Sequence, residues 1–281
     1  MRICLLSFWI SMRMQLSKKF ILSPSCYSNQ ASEFNLLGVA KNSNPILTLV
    51  NVKKGEKMNI EKYRIGKKDV TLYHSKDPES PLIILNNYSG DGKSVMEAAI
   101  EHGNKDFNLL CISNLNWDHD MTPWYCPPTS PHDTPCTGGA EAYLKILLDE
   151  ILPEALRRVS GTPPHISIAG YSLAGLFALY AMYKTDVFDR VASMSGSLWF
   201  PDFKEYVLSN AMKKKPEKIY ISLGNKESKT RNVYLKKVQE NTEKIVDYYK
   251  SEGFDVTFEM NQGNHFKDAA LRSAKGILAI I

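Results

Sequence analysis

The chain is poor in cysteine, has no long apolar run, and beyond its first stretch carries no excess charge of either sign. Its five cysteines are Cys4, Cys26, Cys111, Cys126 and Cys136, and only three follow Met58. An odd, sparse set argues against a disulfide framework and fits a reducing cytoplasm. The apolar start, Ile3 to Ile10, is too short to span a bilayer, and no small-residue cleavage site follows it. No membrane partner is therefore expected. Eight of the 35 Lys and Arg and two of the 30 Asp and Glu lie in residues 1–57, leaving 27 basic against 28 acidic residues. No basic stripe survives, which argues against a nucleic-acid partner. Cys126 and Cys136 bracket His132, with His119 nearby, but the spacing matches no common zinc pattern, so no metal is expected. Internal repeats and low-complexity blocks are absent. What remains, 43% hydrophobic and 23% charged, is ordinary for a globular protein.

Residues 1–57 differ from the rest. They show no clear period and hold polar clusters such as Ser23-Pro24-Ser25 and Lys41-Asn42-Ser43-Asn44-Pro45. Lys54-Gly55-Glu56-Lys57-Met58 can be encoded by a purine-rich run with AGGAG shortly before ATG, as a translated ribosome-binding site would read. The expectation is that residues 1–57 are a disordered or mis-annotated extension, that Met58 is the true start, and that residues 58–281 form one domain.

After Met58, strand-like and helix-like runs alternate. The strand-like runs are Ile60–Ile65, Val70–His74, Leu82–Asn86, Phe107–Ser113, His165–Ala169, Arg190–Met194, Lys218–Leu223 and Phe254–Met260. The helix-like runs are Ser94–His102, Gly139–Val159, Leu173–Thr185, Pro201–Met212, Asn232–Ser251 and Lys267–Ile281. Such alternation implies crossovers and an α/β fold with a mostly parallel sheet of about eight strands, helices on both faces. The first two strands have no helix between them and should pair as an antiparallel hairpin around Gly66-Lys67-Lys68. The stretch Asn114–Thr137 breaks the rhythm with five prolines, two tryptophans and two cysteines. A long loop after a strand suits a pocket wall, with Trp117, Trp124 and Tyr125 supplying apolar surface.

The chemistry-bearing stretch is His165-Ile166-Ser167-Ile168-Ala169-Gly170-Tyr171-Ser172, followed by the helical run from Leu173. A serine between a buried strand and a buried helix, flanked by very small residues, is the layout of a nucleophile elbow. Glycine two positions earlier relieves crowding at the sharp turn. Two positions later stands Ala174 where the usual pattern has glycine, and glycine follows at Gly175.

A serine needs a base held by a third group, and in this fold class the chain order is Ser, acid, His. His265, in Gln262-Gly263-Asn264-His265-Phe266, is the sole histidine after Ser172 and is the expected base. Glu227, just past the strand ending at Leu223, is the expected acid. Asp202 is its rival, while Asp186 and Asp189 read as helix-end and loop charges. The oxyanion donors should be the N–H of Leu173 and that of Asn87 or Tyr88, in the loop after Leu82–Asn86.

Gly170-Tyr171-Ser172-Leu173-Ala174-Gly175-Leu176-Phe177-Ala178-Leu179-Tyr180, Ser195-Gly196-Ser197-Leu198-Trp199-Phe200 and Gly263-Asn264-His265-Phe266 together resemble the putative-esterase family of α/β-hydrolases, which includes ferric-siderophore esterases and esterase D-like enzymes. Trp117-Asp118-His119-Asp120-Met121-Thr122-Pro123 is similar to the acidic stretch that precedes that family's substrate pocket. The resemblance covers about Met58 to Ile281. It implies an α/β-hydrolase fold, Ser172 as nucleophile, His265 as base and Trp199 lining the pocket. Some members of that family rely chiefly on Ser and His. Trp117, Trp124 and Tyr171 complete the expected substrate contacts. The expected activity is hydrolysis of a small-molecule carboxylic ester through an acyl-enzyme, with no cofactor. An acyltransferase using the same intermediate and a non-catalytic binding protein on a hydrolase scaffold are the alternatives.

Overall fold

The computed structural model describes residues 46–47, 50–52, 56–103 and 106–281; the expectations for residues 1–45, Cys4 and Cys26 among them, lie outside these. Strands β1 (Ile46–Leu47), β2 (Val50–Val52) and β3 (Glu56–Met58) come before the first expected strand. Then follow β4 (Ile60–Ile65), β5 (Lys68–Tyr73), β6 (Leu82–Asn86), α1 (Lys93–His102), β7 (Asn108–Ser113) and the single turn α2 (Trp117–Asp120). A two-strand ladder, β8 (Tyr125–Cys126) and β9 (Cys136–Thr137), leads into α3 (Ala140–Ile146), which runs through a π turn (Leu147–Ile151) into α4 (Leu152–Arg158). The remainder is β10 (Ile166–Tyr171), α5 (Leu173–Lys184), β11 (Arg190–Met194), α6 (Phe203–Ser209), β12 (Lys218–Gly224), α7 (Val238–Ser251), β13 (Val256–Asn261) and α8 (Ala269–Ala279).

Among the described residues, nine strands form the main sheet in the order β1-β4-β5-β7-β6-β10-β11-β12-β13. From β7 to β13 every neighbouring pair is parallel, whereas β1, β4 and β5 are joined antiparallel. The eight expected strands and the antiparallel hairpin are thus present, with β1 added at the edge. The described strands and helices belong to one compact unit, Ile46–Ile281.

Strand alternation splits the interior into two cores. Leu82, Ile84, Leu110, Ile112 and Ile168 face one side, under α3 to α7. Ile83, Leu85, Leu109, Cys111 and Ala169 face the other, under α1 and α8. A strand buried on both faces must be apolar throughout, which is why β6 and β7 read as continuous apolar runs rather than alternating ones. Strand β4, second from the edge and flanked only by the two-residue β1 on its outer side, alternates instead. Helix α5 is buried along nearly its whole length, and its sequence is apolar all round as such a helix requires. Helix α7 buries Val238, Asn241, Thr242, Ile245, Val246 and Tyr249, a single stripe at helical spacing.

Parallel pairing of β7, β6, β10, β11, β12 and β13 brings their carboxyl ends to one edge. Directly past three of these ends the backbone turns through positive φ, at Asn114 (57°), Ser172 (61°) and Ser195 (45°). The loops that follow carry the candidate site.

Candidate active site

Ser172 is the single residue between β10 and α5. Its φ of 61° and ψ of −125° are strained for a residue with a Cβ, and strain of this kind persists only where the surroundings over-determine it. Here the Ser172 N–H donates to the Met194 carbonyl at 3.1 Å, and the Ser172 carbonyl accepts from the N–H groups of Gly175, Leu176 and Ser197 at 3.0, 3.2 and 3.0 Å. The small neighbours have steric causes. A Cβ at Gly170 would lie 2.1 Å from the Ala174 carbonyl oxygen and 2.8 Å from its Cβ. Position 174 tolerates alanine because position 170 has no side chain. A Cβ at Gly175 would lie 2.9 Å from the Gly196 Cα, so this glycine lets α5 approach the turn after β11.

The Ser172 hydroxyl lies 3.0 Å from His265 Nε2, and His265 Nδ1 lies 2.7 Å from Glu227 Oε2. Two loops bring these groups together. Strands β12 and β13 pair in register to Gly224 and Asn261. Beyond them, Gly263 N–H donates to Asn225 Oδ1 at 2.9 Å and Lys226 N–H donates to the Gly263 carbonyl at 3.0 Å. The loop with the histidine is thereby tied to the loop with the glutamate.

The Glu227 side chain is only 4% exposed, against 19% for His265. Burial pushes its carboxyl pKa up. The hydrogen bond and charge of His265, the Ser195 hydroxyl and the Gly224 N–H outweigh burial and hold the pKa below the usual carboxylate range. An ionised carboxylate can only accept, so Nδ1 carries the imidazole proton and Nε2 is left to accept from the Ser172 hydroxyl.

Beneath this row lies Arg272, 2% exposed on α8. Its Nη1 reaches Glu227 Oε1 at 3.3 Å, the Ser195 hydroxyl at 3.2 Å and the Tyr171 hydroxyl at 3.4 Å, while Nη2 donates to the Gln262 carbonyl at 3.0 Å. Gly224 N–H also donates to Glu227 Oε1, at 2.6 Å. One carboxylate oxygen is thus held by the scaffold and the other faces His265. Tyr171, whose phenol is pushed up to about 12 by burial, stays protonated and donates to the His265 carbonyl at 2.6 Å. Arg272 and Ser195 escaped the sequence reading. The available signal was a basic residue four positions before Gly276 and eight before Ile280, on the buried face of α8; a charge there must be paired.

The remaining expected residues divide. Leu173 opens α5, and its N–H lies in the first turn, where helical partners are lacking. The Asn87 N–H donates to the Ile112 carbonyl at 2.8 Å, which corrects its expected role: it is consumed by the β6–β7 ladder. Tyr88 stands edge-on to Trp117, with ring centroids 5.2 Å apart. Trp124 is half-buried. Its Nε1 donates to the Pro201 carbonyl at 3.0 Å, and its ring meets Tyr180, Phe200, Phe203 and Tyr206. Trp199 is half-buried beside Phe200. Asp202 is exposed at the start of α6, where its carbonyl accepts from Tyr206 N–H at 2.8 Å; Glu227, not Asp202, meets the imidazole. Ser197, also unanticipated, places its hydroxyl 3.5 Å from that of Ser172.

Among the described residues, no group of three or more His, Cys, Asp or Glu is placed to hold a metal ion, and no helix is long and apolar enough to cross a membrane. The uncharacterized protein YbbA of Bacillus subtilis (strain 168) is 24% identical over 214 residues, covering 70% of this chain and 84% of its own. Siderophore hydrolase EstA from Aspergillus nidulans superposes with a TM-score of 0.61 at 16% identity, covering 89% of this chain and 98% of that one. The BES protein from Bacillus cereus gives 0.60 at 17% identity, over 89% and 99%. An IroE-like serine hydrolase from Shewanella oneidensis gives 0.61 at 18% identity, over 75% and 74%. At these identities the likeness speaks for the α/β-hydrolase fold. The sequence model of the family described as Putative esterase matches residues 87–270, well over half the chain, and the chain belongs to that family.

Proposed function

We propose that this member of an esterase family hydrolyses a small-molecule carboxylic ester by nucleophilic catalysis, with Ser172 as nucleophile, His265 as general base and Glu227 as the orienting acid. The observation that carries this is the continuous row of contacts from the Ser172 hydroxyl through both nitrogens of His265 to Glu227. Ser172 attacks the ester carbonyl and gives its proton to Nε2, and the imidazolium then protonates the departing alcohol. Water repeats the sequence on the acyl-enzyme. Ionised Glu227 stabilises the imidazolium and keeps the proton-bearing nitrogen fixed. Oxyanion stabilisation falls to the N–H groups of Leu173 and Tyr88, and loss of one such donor costs about 3 kcal/mol of barrier.

For the substrate we favour an ester of the siderophore kind. The support is the likeness to siderophore hydrolase EstA and to enterobactin and salmochelin hydrolase IroE, together with the aromatic pair Tyr88–Trp117 beside the proposed oxyanion donor. The test is a panel of nitrophenyl, short acyl and siderophore esters, with wild type compared against Ser172→Ala. Turnover confined to the wild type is expected, greatest on siderophore esters. Turnover persisting in Ser172→Ala would remove the proposed nucleophile.

A further inference from the structure

Outside the proposed catalytic row, one cluster of nucleophilic side chains stands out. Cys126 and Cys136 are direct partners across the β8–β9 ladder. Residues facing one another on antiparallel strands have Cα atoms about 4.5–5.5 Å apart, within the span of about 4.4–6.8 Å that a disulfide bridges. The register is well pinned. Tyr125 pairs with Thr137, the Thr137 hydroxyl lies 2.7 Å from His119 Nδ1, and the Thr134 hydroxyl donates to Asp118 Oδ2 at 2.7 Å. The connecting segment holds Pro127, Pro128, Pro131 and Pro135, so little conformational freedom remains to be lost on closure. Both cysteines are buried, at 0% and 7% exposure, so exchange in either direction waits on opening of the ladder. Cys111 belongs to the core on the opposite face of the sheet and is out of reach of either.

We infer that Cys126 and Cys136 are a dithiol site that closes to an intramolecular disulfide by exchange with a low-molecular-weight disulfide such as oxidised glutathione. The exchange is symmetric in the two sulfurs, and Cys126 is taken as the first to attack. Its thiolate attacks one sulfur of the small disulfide, forming a mixed disulfide and expelling one thiolate. Cys136, losing its proton, then attacks the Cys126 sulfur and expels the second. The protein loses two hydrogens, the small disulfide gains them, and two free thiols leave. Oxidant reaches the pair by opening of the short ladder, whose connecting segment is exposed at Pro127, Pro128, Pro131 and His132. Closure would staple the hairpin that is clipped to the α2 turn. That turn carries Trp117, the partner of Tyr88. In a reducing compartment the pair rests as thiols; under disulfide stress or in an oxidising compartment it closes. None of this depends on the assignment of Ser172.

The experiment equilibrates the full chain in glutathione buffers of increasing oxidised fraction, quenches with acid, alkylates free thiols and digests with a protease that cuts before aspartate. Cleavage before Asp118, Asp120 and Asp133 puts Cys111, Cys126 and Cys136 on three separate fragments. The expected result is a linked pair of the Cys126 and Cys136 fragments, about 2 Da lighter than their sum. Its amount should rise with the oxidised fraction and vanish with dithiothreitol, while Cys111 stays alkylated. Alkylation of Cys126 and Cys136 in every buffer would overturn the inference, as would pairing of either with Cys4, Cys26 or Cys111, or arrest at the glutathione adduct.

Discussion

The elbow at Ser172 and the loop from Asn114 to Thr137 arise at the same edge of the sheet, yet they obey different rules. At the elbow the constraint is main-chain crowding. Gly170 and Gly175 each stand where a Cβ would collide with named backbone atoms, and a strained serine is pinned by four main-chain hydrogen bonds. In the loop the constraint is side-chain pairing, with Trp124 wedged among four aromatic rings and bonded to the Pro201 carbonyl. Crowding at a turn leaves its mark in local sequence. Pairing across dozens of residues leaves almost none. The two regions should also fail differently, the first in rate and the second in stability.

The largest separation is expected from Ser172→Ala. Its kcat/KM should fall by about 10^4–10^6-fold with little change in melting temperature, because alanine keeps the same Cβ and the four main-chain hydrogen bonds that pin the turn; steady-state kinetics and calorimetry on one preparation read both. Glu227→Gln should lower kcat by about 10^4-fold, since a carboxamide can present the wrong hydrogen-bonding group to Nδ1. It should also change the acid limb of stability. The folded Glu227 pKa is depressed, so its contribution is fully present above the unfolded value of about 4.3 and is lost as pH falls through the lower folded value. Melting temperature against pH should therefore decline less steeply on the acid side in the variant than in wild type.

Trp124→Ala is the counterpart in the loop. It should cost about 3–5 kcal/mol of stability while leaving kcat near wild type at temperatures where the variant is folded, measured by denaturant unfolding and kinetics. Arg272→Met crosses the boundary between the two behaviours. Removing one partner of a buried pair typically costs about 3–5 kcal/mol, and the loosened Glu227 should lower kcat as well. The smallest effect should be that of Asp202→Asn, within about 0.5 kcal/mol in stability and unchanged in kcat/KM, because Asp202 is exposed at a helix start away from the imidazole.

This contrast also accounts for what was legible in the sequence. Strand order along the chain and the antiparallel hairpin follow from the alternation of strand-like and helix-like runs, and the meeting of Ser172, His265 and Glu227 was expected from chain order around a recognisable turn. Asn87 misled because the fate of its amide depends on how β6 pairs with β7, a register that no local pattern reports. Arg272 was hidden for a related reason: its value lies in four acceptors supplied by β10, the segment after β11 and the loops after β12 and β13. Strands β1 to β3 are two or three residues long, too short for a period to register. The β8–β9 ladder, two residues a side, is equally silent, although it is what sets Cys126 opposite Cys136.

The central claim is that one hydroxyl is made nucleophilic by the imidazole beside it. A fluorophosphonate probe followed by peptide mass mapping tests this most directly. The account predicts stoichiometric modification of Ser172 in the wild type and a rate lower by orders of magnitude in His265→Ala. Modification of another residue, or labelling of Ser172 at the same rate without His265, would contradict it.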